Sequence, residues 1–344
     1  MWTLPAVGLL VGATYHYLGG RAKGGTPAVI EQGNLFTHGV PARMAPMIFS
    51  ASVAGHLAGA SVGREGAALQ MAGSVTDTAA RWGRLPADQR RTLIAASLAG
   101  GWGAVFGVPI TGVAFTLQVT RGHRWRALLP AVVSAFTGKI VVDSLGYRMA
   151  NRPHVSTSWT IGLPFKLVLA GVVFGLLARL FVWLLHAMRA GVAHGVRWPP
   201  ARPVVGAAAT LALMAMVGRD HLGLSTPLLA DAIGGAHVDW SVPLLKLLFT
   251  AIALGTGFVG GEVAPLFVIG ATAGAAVAPG LHAPAPLLAT TGSAVTFAAA
   301  ASVMLTGVVL SVEQFGWGTL LPALIVGAAA RLVAGKPGLY VAHH

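Results

Sequence analysis

The stretch GREGAALQMAG (residues 63–73) sets an arginine and a glutamate side by side between glycines, in a run that is otherwise apolar or small. It has an echo 197 residues later, GGEVAPLFVIG (residues 260–270). Gly63 falls on Gly260, Glu65 on Glu262, Ala67 on Ala264, Leu69 on Leu266 and Gly73 on Gly270. Two more pairs follow in the same order. PITGVAFTLQ (residues 109–118) echoes MLTGVVLSVE (304–313) at an offset of 195, and LLPAV (128–132) echoes LLPAL (320–324) at 192. Three matches in one order at nearly one offset are hard to attribute to an Ala/Gly-rich composition. They divide the chain into two related halves, 1–150 and 160–344, and leave open whether one is inverted relative to the other. Internal duplication of this kind is a mark of transporters whose binding site lies at the repeat interface.

The composition belongs to a membrane protein. Hydrophobic residues make up 55% of the 344 and charged residues only 10%, with a mean hydropathy of +0.73; a soluble domain carries about 25% charged residues. Residues 92–120 and 263–312 contain no Asp, Glu, Lys or Arg, and a spanning helix needs about 20 such positions. Apolar spans are expected near 2–18, 44–63, 67–80, 92–107, 109–120, 127–146, 161–187, 203–218, 241–258, 264–280, 287–301, 303–312 and 319–334. Residues 2–18 lack a basic region ahead of them and a cleavage signature, so they read as a first membrane helix rather than a signal peptide. Several spans are too short to cross a bilayer, and 46 glycines and 20 prolines punctuate them. Broken helices at membrane depth are tolerated only where protein or a wet cavity surrounds them.

The net charge of +13 does not point to nucleic acid. The positives sit between apolar runs, as in Arg81, Arg84, Arg90 and Arg91, then Arg121, Arg124 and Arg126, which is the pattern of a topology signal. With no cysteine there is no disulfide or thiolate metal site, and no cofactor or metal is expected. An intramembrane enzyme is disfavoured: no zinc-type H-E-x-x-H run and no nucleophile elbow is present. Trp102, Phe106 and Met71 read as packing or lipid-facing residues.

Only four glutamates occur, Glu31, Glu65, Glu262 and Glu313. A carboxylate at membrane depth costs at least about 2.5 kcal/mol, so such residues face a cavity, a partner or a moving ion. Glu65 falls at or just before the start of a helix, where free amides and the helix dipole favour an anion. Two readings stay open. Glu65 is either the occupant of an anion seat that leaves when protonated, or one half of a loop ion pair or cap with Arg64. At the second turn, Pro265 suits a first helical turn. The amides of Val263 and Ala264 then point at an anion, unless the Gly-Pro break merely starts a helix.

GREG, GGEVAP and the terminal GKPGLY (residues 335–340) together resemble the CLC family of chloride channels and anion/proton antiporters, over nearly the whole chain. RMAP (43–46), GREGAALQMAGS and GGEVAPLFVIGAT are most similar to the fluoride/proton antiporter branch. The resemblance implies an all-α integral membrane protein, an inverted repeat of broken and tilted helices. It implies a multi-pass homodimer in the cell membrane with a separate pore in each subunit that carries a halide: fluoride in exchange for protons or, as the alternative, chloride through a channel or in exchange for protons. By the same resemblance Glu65 is the gating and proton-transfer residue, Tyr340 the inner pore hydroxyl, and Gly63, Arg64, Gly66, Val263 and Ala264 line the anion path, with Glu262 in support. Gly25 and Thr26 stand near the first-half inner motif. Two departures accompany it. Gln118 and Val119 stand where chloride antiporters carry the inner proton-relay glutamate, and Ala264 stands where the fluoride branch often has threonine. No soluble regulatory domain is expected.

Overall fold

A computed structural model describes residues 1–147, 153–336 and 338–340. Positions 148–152 and 341–344 of the expected halves, and Pro337 of GKPGLY, lie outside the described residues. The described residues form fifteen α-helices: α1 (Leu4–Leu18), α2 (Gly25–Asn34), α3 (Met44–Ala58), α4 (Glu65–Trp82), α5 (Ala87–Phe106), α6 (Pro109–Val119), α7 (Arg124–Ser144), α8 (Leu163–Gly195), α9 (Arg202–Val217), α10 (Thr226–Ile233), α11 (Ser241–Thr256), α12 (Val263–Leu281), α13 (Ala285–Ala301), α14 (Met304–Phe315) and α15 (Leu320–Ala334). The only extended pairing among the described residues is one antiparallel bridge between Gly63 and Gly261.

The charge-free runs break where expected. Residues 92–120 split at Gly107, which takes a left-handed φ of +64° that a side chain disfavours. Pro109 then starts α6, where its missing N–H costs nothing. Among the described residues five segments are long and apolar enough to cross a membrane: Arg124–Ser144, Leu163–Gly195, Pro199–Val217, Val263–Leu281 and Trp317–Ala334. The rest are shorter and lean on their neighbours. Two helices went unexpected. The α2 sequence carries Glu31, Gln32 and Asn34, and α10 is a single short amphipathic segment, so neither shows an apolar run. The 44–63 span ends early at Ala58, because Gly59 turns left-handed at φ +94°.

The centre of the molecule is made of α12 and α13. Almost every α13 residue is buried. Their backbones nearly touch: a Cβ on Gly270 would collide with the Gly292 carbonyl, and one on Gly274 with that of Leu288. Close approach through small residues is how helices associate where lipid supplies no hydrophobic drive. Thr272, Thr290 and Thr291 satisfy their hydroxyls on carbonyls four residues back, at 2.7 Å each, so the dry interior holds no cost from them.

Two short helices, α6 and α14, cap each other. Glu313, at the end of α14, accepts hydrogen bonds from the amides of Ile110 (2.9 Å) and Thr111 (2.7 Å) and from the Thr111 hydroxyl (2.7 Å). Gln118, at the end of α6, accepts from the Thr306 amide (2.7 Å) and hydroxyl (2.6 Å). Residues 118 and 313 stand 195 apart in sequence, as do Thr111 and Thr306. The residue that departs from the chloride-antiporter pattern thus holds a helix end here. A lost cap of this type costs about 1–2 kcal/mol. Glu313→Ala is therefore expected to lower the melting temperature measured in detergent. Glu313→Gln should destabilise less, because its one amide oxygen can keep the two Thr111 bonds, as Gln118 keeps two from Thr306, and only the Ile110 bond is lost. Equal destabilisation by both substitutions would contradict this account of the caps.

Lys246 on α11 is fully buried with no carboxylate bonded to it. Its ammonium donates to Ser61 Oγ and Ser225 Oγ, both at 2.9 Å, and to the carbonyls of Gly223 (2.7 Å) and His221 (3.2 Å). It ties the 221–225 loop to the segment that leads into Gly63.

Candidate functional site

The loops ahead of α4 and α12 clasp one another. The Gly63 amide donates to the Gly261 carbonyl and the Gly261 amide to the Gly63 carbonyl, both at 2.6 Å. Such an approach needs glycine. A Cβ on Gly66 would stand 2.9 Å from Gly261 Cα, and one on Gly261 would stand 2.5 Å from the Gly66 nitrogen. The clasp brings the N-termini of α4 and α12 to one place, and each N-terminus presents unpaired amides at the positive end of its dipole.

Glu65 sits on this junction and is 4% exposed. Its carboxylate lies within hydrogen-bonding reach of its own amide and of the Ala264 amide, so it occupies the tip of α12. Oε2 has no hydrogen-bond partner. Arg64 Nε is 4.0 Å from Oε1, but the guanidinium turns outward and donates to the Tyr147 hydroxyl at 2.9 Å. The simple loop ion pair therefore accounts for little of the seat.

A cavity lies on each side. One, of about 660 Å³, is lined by Arg64, Glu65, Tyr147, Ala264, Phe267 and Gln314 among others. The other, of about 610 Å³, is lined by Gly25, Thr26, Gln70, Arg189, Glu262 and Tyr340 among others. Ala264 and Glu65 thus close the first cavity, and Glu262 and Tyr340 stand in the second. The Tyr340 hydroxyl lies within reach of the Glu262 carboxylate. The ring of Tyr340 meets that of Phe115 edge-on at 6.0 Å. Lys23, Arg189 and Arg202 also line the Tyr340 side, against the one carboxylate of Glu262, a balance that concentrates anions.

The site residues expected from sequence converge, with one exception. Glu65, Gly63, Gly66, Val263 and Ala264 form the junction, and Gly25, Thr26, Glu262 and Tyr340 line the cavity next to it. Arg64 faces away, toward Tyr147. Thr26 Oγ1 donates to the Gly66 carbonyl at 3.5 Å and accepts from Gln70 Nε2 at 3.4 Å, so its hydroxyl is loosely engaged beside α4. Sequence reasoning missed Gln70, although it is the one amide in the small-residue stretch after Glu65. It also missed Tyr147 and Arg189, which carry no local signal.

Two helix tips joined between two cavities, with an acid seated on them and cations along one wall, define a membrane protein built to pass anions. The chain belongs to the family described as voltage gated chloride channel, whose sequence pattern matches residues 7–335; this is a family of anion channels and transporters rather than enzymes. It is 38% identical over 357 aligned positions to a chloride/fluoride channel protein of Pseudomonas syringae pv. tomato (strain ATCC BAA-871 / DC3000), covering 99% of this chain and 77% of that protein. Its structure is similar to the crystal structure of a CLC-type fluoride/proton antiporter, with a TM-score of 0.94 and 30% identity, covering 99% of this chain and 87% of that one. A slow cyanobacterial Cl−/H+ antiporter shares the fold at a TM-score of 0.85 and 19% identity, over 97% of this chain and 83% of the other. The expected all-α, CLC-like multi-pass membrane fold is the one observed.

Proposed function

We propose that the protein exchanges fluoride for protons, with Glu65 as both gate and proton carrier. The observation that carries this reading is the place of the Glu65 carboxylate: buried at the joined tips of α4 and α12, one oxygen unpartnered, with a cavity on either side. A carboxylate and a small anion compete for the same amides there. Protonation removes the negative charge, the side chain leaves, and the anion enters. Thr26, Tyr340 and the amides of Val263 and Ala264 supply donors for a small, strongly hydrated anion. Glu262, beside Tyr340, is a carboxylate through which protons reach the other face. In support of two repeated halves, 1–150 and 160–344, the mutual caps of Gln118 and Glu313 stand at matching places in each, and the clasp glycines Gly63 and Gly261 fall one position apart in the aligned repeats. Family membership supports a homodimer with one pore per subunit, and cross-linking in lipid tests it.

Charge gives an orientation. Arg21 reaches the His38 carbonyl at 3.5 Å, and the 37–40 loop is pinned to Asp77 together with Arg90. Asn34 bonds the Val119 carbonyl and the Arg121 amide. The basic loops thus gather on the side of Lys23 and the Tyr340 cavity, which the positive-inside bias places in the cytoplasm.

The second reading is a chloride channel or chloride/proton exchanger: Ala264, where the fluoride branch often has threonine, speaks for it, while Gln118 and Val119, in place of the inner proton-relay glutamate, favour the channel over the exchanger within it. Reconstitution in liposomes separates the two. Fluoride efflux that drives proton uptake is expected, with chloride carried at least about tenfold more slowly, a difference of about 1.4 kcal/mol. Chloride flux without fluoride-linked proton movement rejects the fluoride reading.

A further inference from the structure

Ser225 breaks two local rules at once. It is a non-glycine residue in the left-handed region, at φ +54°, where a side chain is disfavoured. It is also the residue just ahead of α10, where a serine hydroxyl ordinarily accepts from the helix amides, yet its side chain makes no such cap. The hydroxyl goes elsewhere. It donates to the Leu222 carbonyl at 3.2 Å and accepts from Lys246 Nζ at 2.9 Å. A residue in such a conformation persists only where its surroundings over-determine it. Here the surroundings are the ammonium of Lys246, whose three N–H groups meet four oxygens. Three of these, the carbonyls of His221 and Gly223 and Ser225 Oγ, belong to this one turn. The fourth is Ser61 Oγ, which also meets the Thr250 hydroxyl at 3.1 Å. Ser61 stands two residues ahead of Gly63 and its clasp.

We propose that Lys246 is a positioning residue for transport: by holding the 221–225 turn it sets the wall of the Arg64 cavity, and with it the access of the anion to the joined tips of α4 and α12. The lining of that cavity shows why the turn matters. Leu224 and Thr226, on either side of Ser225, belong to it, as do Leu229 and Ile233 of α10, together with Arg64, Glu65 and Ala264. The turn and the helix thus give an apolar, low-dielectric surface to a passage that carries the Arg64 guanidinium. Walls of that kind focus the field of a charge on the opening and raise the rate at which an anion arrives. The α10 helix has only eight residues, too few to hold itself together alone. Its buried side packs on Ala271, Ala275 and Ala289, so the turn ahead of it is what fixes where it starts. Lys246 does not itself line the cavity, and it acts through the turn.

This inference rests on the anion seat at the α4 and α12 tips, and two measurements test it. Both use Ser225→Ala. Alanine suits the left-handed region no better than serine, so the strain stays while the hold is lost. Lys246 keeps its charge and three acceptors for its three N–H groups, so the protein is expected to fold. The first measurement is halide transport in oriented proteoliposomes, with halide varied on one face at a time. The apparent KM on the face of the Arg64 cavity is expected to rise by about threefold to tenfold, with the maximal rate and the KM on the Tyr340 face unchanged. Lys246→Met should give the same one-sided change more strongly; where it fails to fold, Ser225→Ala decides alone. An equal change on both faces, a fall in maximal rate alone, or an unmoved KM assigns Lys246 to stability and overturns the proposal. The second measurement needs no transport. The chain has no cysteine of its own, so Leu224→Cys places one thiol on the cavity wall. Adding Ser225→Ala should quicken its reaction with a water-soluble maleimide by about fivefold, the effect of one lost hydrogen bond on a local opening. An unchanged rate overturns the proposal. Absence of halide transport in the wild type would sink the transport reading instead, and the labelling rate then decides whether Lys246 holds this wall.

Discussion

Glu65→Gln abolishes halide-driven proton movement. Glutamine has nearly the shape of glutamate, so the clasp and the two cavities remain. It lacks both the charge that competes for the α12 amides and the proton that is carried. The expected result in liposomes is loss of proton uptake to the leak level, a fall of about a hundredfold or more, which corresponds to about 2.7 kcal/mol or more of lost coupling. Halide then either passes uncoupled or stays trapped. A pH electrode together with a halide electrode distinguishes these two outcomes, and both agree with the assigned role. Proton uptake at the wild-type rate in this variant contradicts it. The bland reading of Glu65, a helix cap paired with Arg64, predicts a modest loss of stability and intact coupling.

Gly261→Ala removes transport by a different route. The new methyl would stand 2.5 Å from the Gly66 nitrogen and 3.2 Å from Gly66 Cα, both backbone atoms that cannot turn aside. The two reciprocal 2.6 Å hydrogen bonds with Gly63 then have to open. Overpacking of this kind costs about 1–3 kcal/mol, and here the strain falls on the joined tips of α4 and α12, the proposed anion seat. Halide flux is expected to drop by at least about tenfold, with a lower melting temperature. Gly280→Ala is the matched control, since nothing lies within reach of a Cβ there. If the Gly261 variant transports as the Gly280 variant does, the clasp is not what shapes the site.

Much of this was legible in the residues. The repeat pairs located both helix tips, and the break at Gly107 and Pro109 was readable from local chemistry. Glu65 stood out because a lone carboxylate among glycines in an apolar chain is costly without a use. What escaped was carried by tertiary contact. The α2 helix has no apolar stripe, and is held by Gln32, whose oxygen receives the amides of Thr37, His38 and Gly39. Gln118 read only as a missing acid, because its Thr306 partner lies 188 residues on. Trp102 read as packing, and it does pack, against Phe106, Phe115 and Phe297. Lys246 gave no signal at all, since its four acceptors come from two distant loops.

The reciprocal glycine bonds bear on how the cycle runs. Each half of the chain contributes one loop to the junction, and the two loops are stitched by their main chains rather than by side chains that can swap partners. Behind them α12 and α13 cross at glycine contact, leaving no slack for sliding. A rocking of one half against the other would break both of these hydrogen bonds, so the expected turnover cycle moves the Glu65 side chain and leaves the two loops in place.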